Sequence, residues 1–154
     1  MRLKEDLLKL ENPFETIECV EHFLRDYVKK TSVEGLVLGM SGGLDSSVAA
    51  ALCSRAFRDP SKVLGLCMPE GETYNEKNIR DAERVADMFG LEFRIIDVTP
   101  MVQVFCKSLN IEKVSKVVQG NLKTRVRAVT LYWYSNSLNR LVVGTTDKSE
   151  LMLG

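Results

Sequence analysis

The stretch GMSGGLDSS, residues 39–47, decides how the rest of the chain is interpreted. It joins an apolar run, GLVLGM at 35–40, to residues 45–57, which contain no glycine or proline. The first pattern is typical of a buried strand, and the second favours a helix. Glycines between a strand and a helix weaken regular structure, so a requirement other than local stability must explain them.

Apolar runs and helical periodicities alternate along the whole chain. Further helices are predicted over 13–31, around 79–89, as one or two short pieces within 100–118, and over 121–139, and further strands at 62–68, 91–98 and 141–144. Strands that alternate with helices build right-handed crossovers and a parallel sheet. The sequence therefore predicts an α/β fold, a Rossmann-like doubly wound parallel sheet in three α/β/α layers, with one domain over residues 1–154.

The glycine-rich turn has a plain and a functional interpretation. A plain tight turn needs one glycine at positive φ, Gly42 or Gly43, and one helix cap, Asp45 or Ser46. That leaves the other glycine and two hydroxyls unexplained. A phosphate-binding loop explains them, because phosphate oxygens can approach bare backbone N–H groups and the start of a helix attracts anions. Ligands of parallel sheets bind beyond the carboxyl ends of the strands, where this turn lies.

The residues of the loop also restrict the kind of phosphate site. No lysine follows the glycines, as GxxxxGK[ST] would require, and GxGxxG is absent. Asp45 alone would repel phosphate, but a carboxylate that holds Mg²⁺ attracts it. The loop therefore favours a site for a pyrophosphate-containing ligand with Mg²⁺.

Composition argues against several other classes of function. The 21 basic and 21 acidic residues give zero net charge, which does not support binding to nucleic acid or to a membrane surface. No apolar run reaches membrane-spanning length, and the start, MRLKEDLLKL, is too charged for a signal peptide, so a cytoplasmic protein is expected.

The cysteines and the histidine do not indicate a metal site. Four cysteines without a CxxC pair and one histidine make no credible zinc site. Cys53 and Cys67 are expected in the core and His22 in solvent.

The loop resembles a known motif. SGGLDS, residues 41–46, resembles the SGGxDS pyrophosphate loop of the N-type ATP pyrophosphatases. These enzymes attach AMP to a carbonyl oxygen, release pyrophosphate, and let a nitrogen or sulfur nucleophile displace AMP. The family includes GMP, asparagine, argininosuccinate and NAD synthetases and tRNA thiolation enzymes. The predicted strand before the loop and helix after it agree with the resemblance.

The second informative segment is QGNLKTRVRAVTLYWYSNSLNR, residues 119–140, where an amphipathic helix is predicted. Asn121 can cap this helix, and the expected buried stripe consists of Leu122, Val126, Val129 and Trp133. A neighbouring face, which suits an acidic, aromatic ligand, carries Asn121, Arg125, Tyr132 and Asn136. Arg127 points elsewhere and could equally be structural. For this segment alone, a solvated face is the preferred explanation.

The third segment is VVGTTDKSELMLG, residues 142–154. A strand runs into Gly-Thr-Thr, and a helix is expected to open at Asp147 and Ser149. This turn follows another strand's carboxyl end, so it should face the same crevice as the glycine-rich loop. Glu150 could supply a second carboxylate to Mg²⁺; taken alone, it is more simply a first-turn glutamate favoured by the helix dipole.

Together the two segments resemble one branch of the pyrophosphatases, the NAD synthetases. GNLKTRVRAVTLYWYSN is similar to their GNxxARxRMxxLYxxAN segment, and GTTDKSELMLG to their GTxNKSExxxGY segment. The resemblance extends over roughly residues 35–154. It departs at Thr124, usually Ala, at Ala128, usually Met, and at Asp147, often Asn.

The resemblance implies a role for each matching residue. It implies an ammonia-dependent ligase that adenylylates the nicotinate carboxylate of deamido-NAD and amidates it to NAD, with release of AMP and pyrophosphate. Asp45 and Glu150 would hold Mg²⁺, and Thr145 would contact ATP. Deamido-NAD would meet Arg125, with Asn121 and Tyr132 beside it. The ATP triphosphate would be bound by Gly39, Met40, Ser41, Gly42, Gly43, Leu44, Asp45 and Ser46.

The resemblance also implies a homodimer and a longer protein. NAD synthetases continue past the position that matches Gly154, so the chain is expected to lack the family's C-terminal portion and, by itself, to have little or no activity. Two alternatives stay open. One is another N-type ATP pyrophosphatase, such as a GMP synthetase-like amidating enzyme, and the other is a nucleotide-binding module without turnover.

Overall fold

The computed structural model describes residues 11–57, 59–71, 75–110 and 115–146. Helices and strands alternate through these ranges. In chain order they are α1 (Pro13–Thr31), β1 (Gly35–Gly39), α2 (Leu44–Ala56), β2 (Val63–Cys67), α3 (Glu76–Phe89), β3 (Glu92–Ile95), α4 (Thr99–Ser108), α5 (Lys116–Ser137) and β4 (Arg140–Val143), with a 3-10 turn at Pro60–Lys62 before β2. The strands and helices predicted within the described ranges are confirmed in order and type.

The described strands form one parallel sheet in the order β3-β2-β1-β4. Val37 of β1 lies opposite Leu64 of β2 on one side and Val142 of β4 on the other. From β1 the chain steps outward through β2 to β3 and then returns to the other side of β1 as β4. The winding therefore reverses between β1 and β4, and a crevice forms at the carboxyl ends of strands at such a point.

Helices cover both faces of the sheet, which confirms the three-layer arrangement. One apolar cluster joins the sheet to α1, α2 and α3 and includes Leu38, Cys53 and Ala86. A second joins the opposite face to α4 and α5 and includes Leu66 and Val126. Each fully buried aliphatic side chain contributes about 1.5–3 kcal/mol relative to its exposed state, so both clusters hold the strand ends in place.

Helix α5 differs from the prediction at its start and in its buried face. It begins at Lys116, with the Ser115 hydroxyl accepting from the amide of Val118, so Asn121 lies inside the helix and does not cap it. Val126 is buried as expected, but Val129 and Trp133 are 65% and 63% exposed. The buried face instead carries polar residues, namely Lys123, Thr130 and Ser135.

The expected burial of Cys53 and Cys67 and the expected exposure of His22 are confirmed. Cys53 and Cys67 are buried without a disulfide, and His22 is exposed on α1. Within the described ranges, no helix combines the length and apolar character needed to cross a bilayer.

Candidate functional site

A crevice of about 470 Å³ opens at the carboxyl ends of β1 and β2, where the winding reverses. One wall is the glycine-rich loop with the start of α3, the floor is the end of β2, and the opposite wall is α5. The residues that line this crevice are Gly39, Met40, Ser41, Ser46, Leu66, Cys67, Met68, Pro69, Asn75, Asn78, Ile79, Thr124, Arg127, Ala128, Leu131 and Thr145. The loop and the turn after β4 thus meet at one site, as the sequence predicts.

The hydroxyls of the loop hydrogen-bond within the loop itself. The Ser46 hydroxyl donates to the carbonyl oxygen of Gly43 at 3.0 Å and accepts from the amide of Ser41 at 3.3 Å. The Ser47 hydroxyl donates to the same Gly43 carbonyl at 2.8 Å, and the Ser41 hydroxyl accepts from the Gly43 amide at 3.2 Å. These bonds hold the loop in a single shape before any ligand arrives, which lowers the ordering cost of binding.

The two central glycines have different structural requirements. Gly42 has φ +79°, and a Cβ there would lie 2.2 Å from the carbonyl oxygen of Asn78 on α3. Packing and backbone conformation therefore explain Gly42. Gly43 is extended, at φ −84°, and a Cβ there would meet only the Ser41 hydroxyl, at 3.2 Å. The fold places no comparable demand on Gly43.

The start of α2 presents unbonded backbone donors beside the crevice. Gly43 is the N-cap residue and carries no side-chain cap, in contrast to Asn12 and Asn75, whose side chains cap α1 and α3. The first-turn N–H groups of α2 therefore lack the side-chain oxygen that usually satisfies one of them. Such a helix start binds anionic oxygen atoms through its N–H groups and its dipole.

Met40 contributes backbone rather than side chain to the site. Its side chain is 2% exposed and lies over Gly65 of β2, where a Cβ would come within 2.3 Å of the Met40 sulfur. The amide of Met40 donates to the carbonyl oxygen of Leu66 at 2.8 Å. This packing fixes the point at which the chain leaves β1 and enters the loop.

Arg127 lies on the crevice wall formed by α5. Its Nε donates to the carbonyl oxygen of Met68 at 2.9 Å, so the guanidinium spans from α5 to the end of β2. The sequence prediction did not include Arg127 among the ligand-binding residues. Thr124, Arg127, Ala128 and Leu131 follow the i, i+3, i+4 and i+7 spacing of one helix face, and this spacing was the available signal.

A buried ion pair lies behind this wall. The Nζ of Lys123 is 2.8 Å from an Oε of Glu70, and the two side chains are only 9% and 7% exposed. Glu70 follows the crevice residue Pro69, and Lys123 precedes the crevice residue Thr124. Sequence reasoning missed this pair as well, because nothing local to residue 70 indicates a partner on a helix about fifty residues later.

The residues predicted to bind deamido-NAD lie outside the crevice. Asn121, Arg125 and Tyr132 are exposed on α5, and the Arg125 guanidinium donates to the carbonyl oxygen of Asn121 at 3.1 Å. Tyr132 lines a second cavity of about 780 Å³, between α1, α5 and β4, beside Tyr27. Their shared face is as predicted, while their contact with a ligand stays a prediction.

The acidic residues expected to bind metal are only partly described. Asp45 is exposed in the first turn of α2, whereas Glu150 lies outside the described residues, as does the helix expected to open at Asp147 and Ser149. In the described part of the chain, no three histidine, cysteine, aspartate or glutamate side chains cluster as a metal site would require. One carboxylate near serine hydroxyls still suits Mg²⁺, which usually takes one or two carboxylates and completes its shell with water and phosphate oxygens.

Cys67, on the floor of the crevice, is not a nucleophile. Burial raises the pKa of its thiol above the ordinary value, and the nearby positive charge of Arg127 only partly offsets this. The thiol therefore stays protonated at neutral pH, and only a thiolate attacks effectively. The environment of Cys67 therefore does not suit covalent cysteine chemistry.

Comparison with known proteins decides the family. A family model described as NAD synthase matches residues 16–154. The chain belongs to the NAD synthase family. The match to this family includes the loop, the whole of α5 and the turn after β4, which all contribute to the crevice.

Members of the NAD synthase family with known names or structures resemble the chain closely. The NH3-dependent NAD(+) synthetase of Aeropyrum pernix is 41% identical over 140 residues, which is 89% of this chain but 49% of that protein. The solved NH3-dependent NAD synthetase of Campylobacter jejuni, in complex with nitrate, aligns with a TM-score of 0.86 at 37% identity over 94% of this chain and 61% of its own. The NMN synthetase of Francisella tularensis aligns with a TM-score of 0.82 at 30% identity, over 90% of this chain and 56% of its own. The chain spans about half the length of the curated relatives it matches.

Proposed function

We propose that the protein containing this chain is an ammonia-dependent NAD synthetase, a ligase that amidates deamido-NAD to NAD with ATP. One observation carries the proposal. The uncapped start of α2, beside Gly43, opens into a crevice whose far wall holds Arg127. Two sources of positive potential thus border one cavity of about 470 Å³, which is large enough for part of a nucleotide. The names of the relatives support the choice of reaction.

The loop residues would bind the polyphosphate of ATP. Backbone N–H groups from Ser41 to Ser46 would meet the phosphate oxygens, with Gly43 allowing their close approach, and Thr145 would contact ATP from the turn after β4. Asp45 would hold Mg²⁺, joined by Glu150. When bound, Mg²⁺ neutralises negative charge on the departing pyrophosphate.

The reaction proposed for this site needs orientation more than acid–base catalysis. The substrate carboxylate attacks the α-phosphorus of ATP and pyrophosphate leaves; ammonia then attacks the acyl carbon of the adenylate and AMP leaves with the bonding electron pair. The residues of the crevice would hold the carboxylate in line with the α-phosphate. Such orientation of two bound reactants lowers the activation barrier substantially. No histidine is needed, and His22 is exposed on α1.

The second substrate would lie along α5. Arg125, Asn121 and Tyr132 form an exposed polar and aromatic face that suits the carboxylate and ring of deamido-NAD. The same helix exposes Val129 and Trp133, an apolar surface that favours contact with a second subunit. A homodimer that covers this face is therefore part of the proposal, and sedimentation of the full-length protein tests it.

One relative supports a second candidate substrate. The Francisella tularensis protein that aligns over 90% of this chain is an NMN synthetase. The same chemistry on nicotinate mononucleotide, a smaller acid with the same carboxylated ring, would give NMN. Because the two acids carry the same carboxylated ring, the reaction proposed for the crevice would be the same for either of them.

Turnover by the full-length protein distinguishes these functions. Pyrophosphate release is measured with Mg-ATP and ammonium and with one acid at a time: deamido-NAD, nicotinate mononucleotide or xanthosine monophosphate. Pyrophosphate release that requires both deamido-NAD and ammonium is expected, with NAD as the product.

Other outcomes would assign other functions. Pyrophosphate release with only the mononucleotide would assign the second candidate, and release with xanthosine monophosphate would indicate a GMP synthetase-like enzyme. ATP binding without release in any arm would indicate a binding module. Residues 1–154 alone are expected to have little or no turnover.

A further inference from the structure

The buried pair of Glu70 and Lys123 has a position that stability alone does not explain. Among the ion pairs between described residues, no other has both side chains below 10% exposure. Removing two charges from water costs several kcal/mol per ion, and apolar side chains of similar volume are often as stable or more so. The pair is therefore weak evidence for added stability, and what it provides is a short link between two segments beside the crevice.

Glu70 belongs to the segment that follows β2, residues 68–71, and the pair helps to fix the geometry of this segment. The carbonyl of Met68 in this segment accepts from Arg127 of α5 at 2.9 Å. The carbonyl of Pro69 accepts from the amide of Val98 at 3.0 Å, and the amide of Gly71 donates to the Thr99 hydroxyl at 2.8 Å. Hydrogen bonds thus connect the segment to the β3–α4 junction on one side and to α5 on the other. The ion pair of Glu70 with Lys123 is a second connection to α5.

Both ends of the pair lie directly beside residues of the crevice. Pro69 precedes Glu70 and lines the floor, while Thr124 follows Lys123 and lines the wall together with Arg127 one turn later. The ion pair therefore links the floor of the crevice to its wall. The Arg127 guanidinium links the same two parts, because its Nε donates to the carbonyl oxygen of Met68.

We propose that Glu70 and Lys123 are positioning residues that set the width of the crevice and the place of the Arg127 guanidinium in it. The ligand in question is the nucleotide of the proposed function, on which this part of the inference depends. Neither side chain touches the nucleotide. They act by holding α5 at a fixed distance from the carboxyl end of β2.

The test separates positioning from folding with three variants of the full-length protein. Glu70→Gln and Lys123→Met each remove one charge of the buried pair, and the double variant Glu70→Leu with Lys123→Met replaces both charges by apolar groups. Arg55→Gln is the matched control, because it removes an ion pair with Glu21 between α1 and α2, at 2.7 Å, away from the crevice. Three quantities are measured: the unfolding midpoint, hydrogen exchange of the Gly71 and Val98 amides and of α5, and the Kd for Mg-ATP.

The double variant gives the decisive result. Both single variants are expected to lower the midpoint, while the double variant recovers it to near the wild-type value. Faster exchange and a Kd raised by about tenfold or more are nevertheless expected to persist in the double variant, because the distance is no longer fixed. A folded double variant with wild-type exchange and wild-type Kd would overturn the proposal. If the wild type itself binds no ATP, the proposed function fails, and the exchange measurement still judges the pair.

Discussion

Gly42 of the loop lies directly against the backbone of Asn78 on α3. A Cβ on Gly42 would be 2.2 Å from the Asn78 carbonyl oxygen, and the backbone of Gly42 has φ +79°. The close approach brings the start of α3 into the crevice, where Asn75 and Asn78 form part of the lining. One glycine therefore determines both the loop's shape and the position of the neighbouring wall.

Gly42→Ala is expected to destabilise the protein strongly. The left-handed backbone costs an alanine roughly 1–2 kcal/mol, and the contact with Asn78 adds to this because a backbone carbonyl has little freedom to move. We expect a fall in the free energy of unfolding of more than about 2 kcal/mol, measured by urea denaturation. A loss below about 0.5 kcal/mol would show that α3 does not press against the loop.

Gly43→Ala is expected to separate binding from stability. The backbone of Gly43 suits alanine, so the free energy of unfolding should change by less than about 1 kcal/mol. The new methyl group would stand where phosphate oxygens approach the backbone N–H groups. Losing one hydrogen bond to a charged group corresponds to about a tenfold or greater increase in the Kd for ATP. An unchanged Kd, measured by calorimetry with Mg²⁺ present, would favour the plain-turn interpretation of this glycine.

The sheet was predictable because its signals are local. Apolar runs such as those at β1 and β2 are buried on both faces, and their length and flanking glycines or prolines mark them as strands. The loop was predictable for the same reason, since its glycines and hydroxyls are consecutive in the sequence. Whether Gly42 or Gly43 has the positive φ was left open, because a contact with α3 decides it.

The inward face of α5 was not predictable from hydrophobicity. Its buried face carries Lys123, Thr130 and Ser135, while Val129 and Trp133 face outward. Burial of these polar side chains is possible because each finds a partner: Lys123 pairs with Glu70, and the hydroxyls of the other two donate to the carbonyls of Val126 and Arg140. The partner of Lys123 comes from tertiary structure, whereas the carbonyls that accept from Thr130 and Ser135 lie four and five residues away in the chain. A periodicity based on apolar residues registers neither kind of partner, so it selects the wrong stripe.

Cys53 predicts a pH dependence of stability. Burial in α2 raises the pKa of its thiol from 9.0 to about 12. Below the unfolded value both states keep the proton, and above it the unfolded state releases the proton first. Stability is therefore fully present at neutral pH and falls as the pH rises from 9.0 toward about 12, by at most about 1.4 kcal/mol per pH unit.

The comparison that isolates this effect is with Cys53→Ala. Other groups titrate in the same range, so the free energy of unfolding of both proteins is measured from about pH 8 to about pH 10.5. The variant carries a constant cost for the smaller side chain, and its curve should decline less steeply than that of the wild type. Parallel curves would mean that the Cys53 thiol ionises in the native protein as readily as in the unfolded one.

Asp45→Asn is expected to weaken ATP binding in the presence of Mg²⁺ but not in its absence. Asp45 is exposed in the first turn of α2, so its loss should cost only the helix-dipole contribution of about 0.3–1 kcal/mol in stability. In Mg²⁺ the variant should bind ATP more weakly than the wild type, because the metal loses a carboxylate. In EDTA it should bind ATP at least as tightly, because the carboxylate no longer repels the polyphosphate. Glu15→Gln, which removes a first-turn carboxylate from α1, is the control and should change neither Kd. If Mg²⁺ raises the ATP affinity of the variant as much as that of the wild type, Asp45 does not hold the ion. The presence of a carboxylate in an anion-binding loop would then need another explanation.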